Sequence, residues 1–212
     1  MVLSRCNNGL IWRRFSKMRE TRIDFDTGWI LYGSIIILLM ILFVLKVKFK
    51  KDIVYLFFFS IMFIYLCSLI NYTQFPIMAY QHLRDIIGQH VFRNMNLVPL
   101  INLTKQDFRI SLLNVLMTIP FGFGLPFITK GTFKKIAIAG LLIGVIIESL
   151  QGLIGLLNGY TDRVVDINDV IFNFTGTLIG YSIFKVFSYL FKLSIKKANI
   201  KLSSLLKHIH DA

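Results

Sequence analysis

Charge is scarce in this chain, and negative charge scarcer still. Only 17% of the 212 residues are charged, and Asp plus Glu number 11 against 24 Lys plus Arg. A water-soluble domain of this length needs far more charged surface, so that class is excluded. Cysteine is almost missing: Cys6 and Cys67 lie in a basic tail and an apolar run, and neither has a partner at metal-ligand spacing. No P-loop, dinucleotide fingerprint, Ser-His-Asp or Cys-His arrangement is present. The apolar runs do not alternate with polar residues, which excludes a transmembrane β-barrel.

What remains is apolar length. The chain is 55% hydrophobic with 20 Phe, and its apolar residues fall into five runs, at 27–45, 53–72, 110–129, 136–157 and 170–191. Each is near the roughly 20 residues that cross a hydrocarbon core about 30 Å thick. Lipid offers backbone groups no hydrogen-bond partner, so the runs must be helices. The expectation is an all-α, polytopic membrane bundle of about five transmembrane helices, located in the cell membrane. The first run ends in Lys46-Val47-Lys48-Phe49-Lys50-Lys51 without a small-residue cleavage site, which favours an uncleaved span over a signal peptide.

The net charge of +13 does not point to nucleic acid. The basic residues cluster in gaps between runs, where membrane lipids are their natural partner. Lys46, Lys48, Lys50 and Lys51, then Lys130, Lys134 and Lys135, then Lys192, Lys196, Lys197, Lys201 and Lys207 fall on one side of an alternating five-span bundle. That side is expected to be cytoplasmic. The N-terminal tail, with Arg5, Arg13, Arg14, Lys17, Arg19 and Arg22, opposes this orientation, and initiation at Met18 would remove four of those six. In the C-terminal tail Leu202, Leu205, Leu206 and Ile209 recur at helical spacing, the pattern of an amphipathic helix lying on the membrane surface or of a solvated tail.

The informative residues are polar ones inside apolar runs. Glu148 lies within the fourth run, about 14 Å from its end at Leu157, with Gln151 on the same helical face. A carboxyl at such depth costs on the order of 2.5–3.5 kcal/mol, so it should face other helices or a wet pocket. Asp166, Asp169 and Asn173 share a face at the start of the fifth run, where Asp166 can also cap the helix. Arg163 is a candidate counter-ion for Glu148 or the aspartates. The third run supplies Asn114 and the helix-bending set Pro120, Gly122, Gly124 and Pro126; Arg93, Asn96 and Pro99 stand in the loop before it. Gly176 and Gly180 form a Gly-x-x-x-Gly pair suited to close helix packing. The alternation of spans brings these groups to the side opposite the lysines. An outward-facing polar pocket of Arg93, Asn96, Asn114, Glu148, Gln151, Arg163, Asp166, Asp169 and Asn173 is therefore expected. No metal or cofactor is expected, as the carboxylates follow no defined ligand set.

Four blocks carry a family resemblance. Arg93-Asn94-Met95-Asn96-Leu97-Val98-Pro99-Leu100, Asn114 through Phe123, Glu148-Ser149-Leu150-Gln151 and Asp162 through Gly176 together resemble the VanZ-like family, in the family's order. Leu100 departs from the family's usual Phe, and Met117-Thr118 from its bulkier apolar residues. The organisation so implied is a tail at 1–26, two further spans and their connecting loop at 27–92, a VanZ-like core at 93–191 and a basic tail at 192–212. The resemblance implies a bacterial membrane protein related to one associated with teicoplanin resistance, but no reaction. Three functions are weighed: binding of an envelope lipid, lipid-linked cell-wall precursor or glycopeptide-related ligand; an intramembrane enzyme using Glu148 or an aspartate as base; and a proton-coupled transporter resting on Glu148 alone.

Overall fold

A computed structural model describes residues 20–26, 28–80, 95–100, 104–129, 131–159, 164–199 and 201–212. The expected all-α bundle is what forms. Helices α1 (Gly28–Val47), α2 (Ile53–Gln74), α3 (Lys105–Gly124), α4 (Phe133–Asn158) and α5 (Ile167–Ala198) are the long ones, and a short α6 (Ser204–Asp211) ends the chain. All five long helices contain stretches long and apolar enough to cross a membrane. Three of them start on side chains that complete the unpaired backbone groups of the first turn. Asp52 accepts from Tyr55 N at the start of α2, Thr104 and Asp107 form a reciprocal capping box on α3, and Asp166 accepts from Asn168 N on α5.

One pairing of spans dominates. α3 and α5 cross closely because three glycines remove the side chains that would hold them apart. A Cβ on Gly176 would run into Val115 O and Thr118 Oγ1, one on Gly180 into Ile119 O, and one on Gly122 into Thr177 O. The Gly-x-x-x-Gly pair is thus a packing device. α4 adds Gly140 against Thr177 and Gly144 against Val170. α2 lies on the outside of this trio, and α1, which has no fully buried residue, rests on α2 along one partly buried side and leaves the rest for lipid.

The two ends of the bundle differ. At the lysine end Phe127, Ile136, Tyr181 and Phe184 form a buried core with Phe58, Phe123 and Phe187 packed around it. Phe58 stacks on Phe127 at 4.8 Å, and Phe127 meets Phe184 edge-on at 5.2 Å. Here the C-terminal tail forms the helix its spacing predicts, α6. Capped by Ser203, it folds back onto α2 and the turn Leu125–Phe127, with Ile209 against the aromatic core. His208 stacks on Phe58 at 5.1 Å, and its Nε2 is 2.8 Å from the Phe127 carbonyl. That carbonyl lies just beyond α3, where helical partners run out, so a side chain from the tail can occupy it.

At the opposite end two four-residue strands, β1 (Glu20–Ile23) and β2 (Ile77–Tyr80), pair antiparallel from Glu20↔Tyr80 to Ile23↔Ile77. They were not anticipated. They join the chain entering α1 to the chain leaving α2, and Asn158 Nδ2 donates to Met78 O to fasten α4 to the same corner.

Candidate functional site

The site begins with a helix that starts below the surface. Asp166, the N-cap of α5, donates its backbone N–H to Glu148 Oε2 at 2.9 Å. Glu148 is ten residues from the end of α4 at Asn158, roughly 15 Å at 1.5 Å per residue. The sequence places Glu148 deeper than the start of the fifth span; in the structure the two are level, because the chain before α5 descends to meet it. Irregular backbone at that depth survives only where its polar groups are paired or line a cavity. Here the pairs come from the 95–100 segment, which descends alongside. Asn96 N donates to Val165 O at 2.9 Å and Ile167 N to Asn96 O at 2.9 Å, a single parallel bridge. Asn96 Nδ2 donates to Asp166 Oδ1 at 2.9 Å, and Leu100 N donates to Asn168 Oδ1 at 2.7 Å.

Above this floor the helices separate around a cavity of about 1020 Å³. α2 contributes Asn71 and Thr73, α3 contributes Asp107, Ser111 and Asn114, α4 contributes Glu148 and Gln151, and the start of α5 contributes Asp166, Asn168 and Asp169. α2 is tied across it to α4 by amides: Gln74 Nε2 donates to Ile147 O and Gln151 Nε2 to Thr73 O, both at 3.2 Å. It is tied to α3 lower down, where Tyr65 Oη donates to Met117 O at 2.7 Å. That carbonyl neighbours Leu116 O, to which Pro120 has no N–H to offer. Glu148 and Asp166 also border a second, apolar groove of about 490 Å³ lined by Met95, Leu97, Leu153 and Leu156.

The carboxylates differ in what they already hold. Glu148 and Asp166 are committed to backbone N–H groups, and Asp107 Oδ2 to Thr104. The Asp169 carboxylate holds no backbone N–H. The Asn114 side chain lies beside it, but Asn114 Nδ2 reaches full hydrogen-bond geometry with no partner, although the residue is only 8% exposed. Among the described residues no ion pair reaches any of these acids, and no three metal-ligating side chains stand together.

Of the residues expected to converge, Asn114, Glu148, Gln151, Asp166 and Asp169 line the cavity. Asn96 braces its floor. Asn173 is separate: completely buried one turn deeper on α5, outside the lining, with neither amide atom paired. Arg93 and Arg163 lie outside the described residues. Sequence reading passed over Asn71, Thr73, Gln74 and Asp107, which polar residues at the ends of apolar runs would have signalled.

These blocks belong to a wider match. The family model described as VanZ/LLP1 matches residues 34–188. The chain belongs to that family. The match takes in most of α1 and all of α2, well beyond the four blocks quoted from the sequence, so the outer helices of this VanZ/LLP1 protein are part of the family's frame. No curated protein matches the chain, and no solved structure does.

Proposed function

We propose that this VanZ/LLP1 membrane protein is a binding protein of the cell envelope. Its cavity holds the polar head of an envelope lipid or a lipid-linked cell-wall molecule. The cavity end faces outward and the lysine clusters face the cytoplasm, following the positive-inside bias. The observation that carries this reading is the cavity itself. Hydrogen-bonding side chains from four chain segments surround a space large enough for a small-molecule head group, and a buried amide in its wall is unpaired. Unpaired polar atoms in a membrane are costly unless something fills the space between them.

The same reading gives the family's link to teicoplanin a physical route, through sequestration or presentation of an envelope molecule that the drug meets. The test is complementation in a bacterium made glycopeptide-sensitive by loss of this protein. Wild type should restore tolerance, and Asn114→Leu and Asp169→Asn should not, at matched amounts in the membrane. Full tolerance with both variants would remove the cavity from the function.

A further inference from the structure

The lining has a chemical bias that narrows the occupant. Asp107, Glu148, Asp166 and Asp169 all border the cavity, and no described Lys or Arg does. An acidic cluster alone would not define a ligand. The second observation is Asn114, more than nine-tenths buried, lining the same space with its Nδ2 unpaired. A suitable occupant therefore presents cationic N–H donors to Asp169 and an oxygen acceptor, a few bonds away, to Asn114. Ser111 adds to the acceptor side: its hydroxyl proton is given to Asp107 O at 2.7 Å, leaving oxygen lone pairs toward the cavity.

The helices also leave a way in. α2 and α4 are laced together by Gln74 and Gln151, and α2 meets α3 through Tyr65, deeper down. Between the outer parts of α2 and α3 the lining residues Ser68, Tyr72, Ile110 and Leu113 are exposed. Ser68 and Leu113 each stand six residues inside Gln74 and Asp107 respectively, roughly 9 Å. A gap at that depth, with Ile110 and Leu113 on its lip, opens toward hydrocarbon.

We infer that the cavity selects the primary-amine head of a membrane amphiphile, entering sideways between α2 and α3, with Asp169 receiving the ammonium and Asn114 an adjoining oxygen. This rests on the cavity being a head-binding site, and deepens that reading. A primary ammonium offers three donors, where a trimethylammonium offers none and a glycerol head carries no positive charge.

The experiment uses the purified full-length chain in detergent, with binding read by native mass spectrometry and by thermal shift. The probes are phosphatidylethanolamine, phosphatidylcholine, phosphatidylglycerol, soluble phosphoethanolamine and magnesium alone. Phosphatidylethanolamine should bind about tenfold more tightly than either other lipid, the size expected for one charge-assisted hydrogen bond. Asp169→Asn, which keeps the side chain's shape and an oxygen beside Asn114, should abolish that preference while leaving the melting transition of the lipid-free protein in place. Equal retention of phosphatidylglycerol, still dependent on Asn114, would overturn the amine and leave the head-binding site standing. Binding of phosphoethanolamine as tight as that of the lipid would overturn sideways entry and assign a soluble amine. Stabilisation by magnesium alone, lost in Asp169→Asn, would make the place a cation site instead. Retention of no probe would sink both the amine and the head-binding reading.

Discussion

Glu148 on α4 receives the backbone N–H of Asp166 at 2.9 Å, so a carboxylate deep in one transmembrane helix fixes the beginning of another. The bond has a structural duty that a ligand-facing acid would not need. It gives an acceptor to an N–H that no helical carbonyl can reach.

Substitutions at Glu148 should therefore divide by geometry rather than by charge. Glu148→Gln keeps an oxygen for Asp166 N and should fold, losing less than about 1 kcal/mol. Glu148→Leu leaves a buried N–H unpaired and should cost about 1–3 kcal/mol. Melting temperatures of the two purified variants, side by side, check this. Equal destabilisation of both would mean that the charge itself matters.

The contact between α3 and α5 makes a harsher demand. A methyl group at Gly180 would meet Ile119 O, backbone that cannot swing aside. Gly180→Ala should destabilise by roughly 1–3 kcal/mol or separate the two helices. Gly33 on α1, with nothing near its missing Cβ, is the control, and Gly33→Ala should be neutral or slightly stabilising. Thermal unfolding in detergent compares the two.

Asn173 offers an opposite case. Its amide is fully buried and neither Nδ2 nor Oδ1 is paired, so there is no hydrogen bond to lose. Asn173→Leu should hold or raise the melting temperature, since removing an unsatisfied polar group from an apolar setting is favourable. A large drop would reveal a bound water or ligand atom on that amide.

At the other end, His208 joins the chain terminus to Phe127 O. His208→Ala should cost about 0.5–1.5 kcal/mol and speed hydrogen exchange across 204–211 far more than across α5. Unchanged exchange would return α6 to the membrane surface.

The spans were legible because each is a continuous apolar run, and run length alone decides crossing. Hydropathy misplaced their polar ends. The third helix begins at Lys105, ahead of the apolar run at Ile110, since the Thr104–Asp107 box supplies helical order to a turn with little hydrophobicity. The fifth runs on to Ala198 through lysines that an apolar count rejects. Asp166 as a cap, and Asn114 beside Asp169, followed from helical spacing and alternation of spans. The descent of 95–100 alongside 164–167 did not. It rests on two backbone bonds between residues some seventy positions apart, and such pairing leaves no periodicity in either segment. The docking of His208 on an aromatic ring was hidden for the same reason.

The buried start of α5 also changes what insulates the membrane. With a polar hollow reaching roughly 15 Å down α4, the barrier to ions falls to the other half, where Phe58, Phe123, Phe127 and Phe184 close ranks. Most of the transmembrane voltage must then drop across that aromatic layer. A cation resting on Asp169 would feel little of it, so its occupancy should be almost independent of membrane potential, whereas a charge forced past Phe127 would meet nearly the full field.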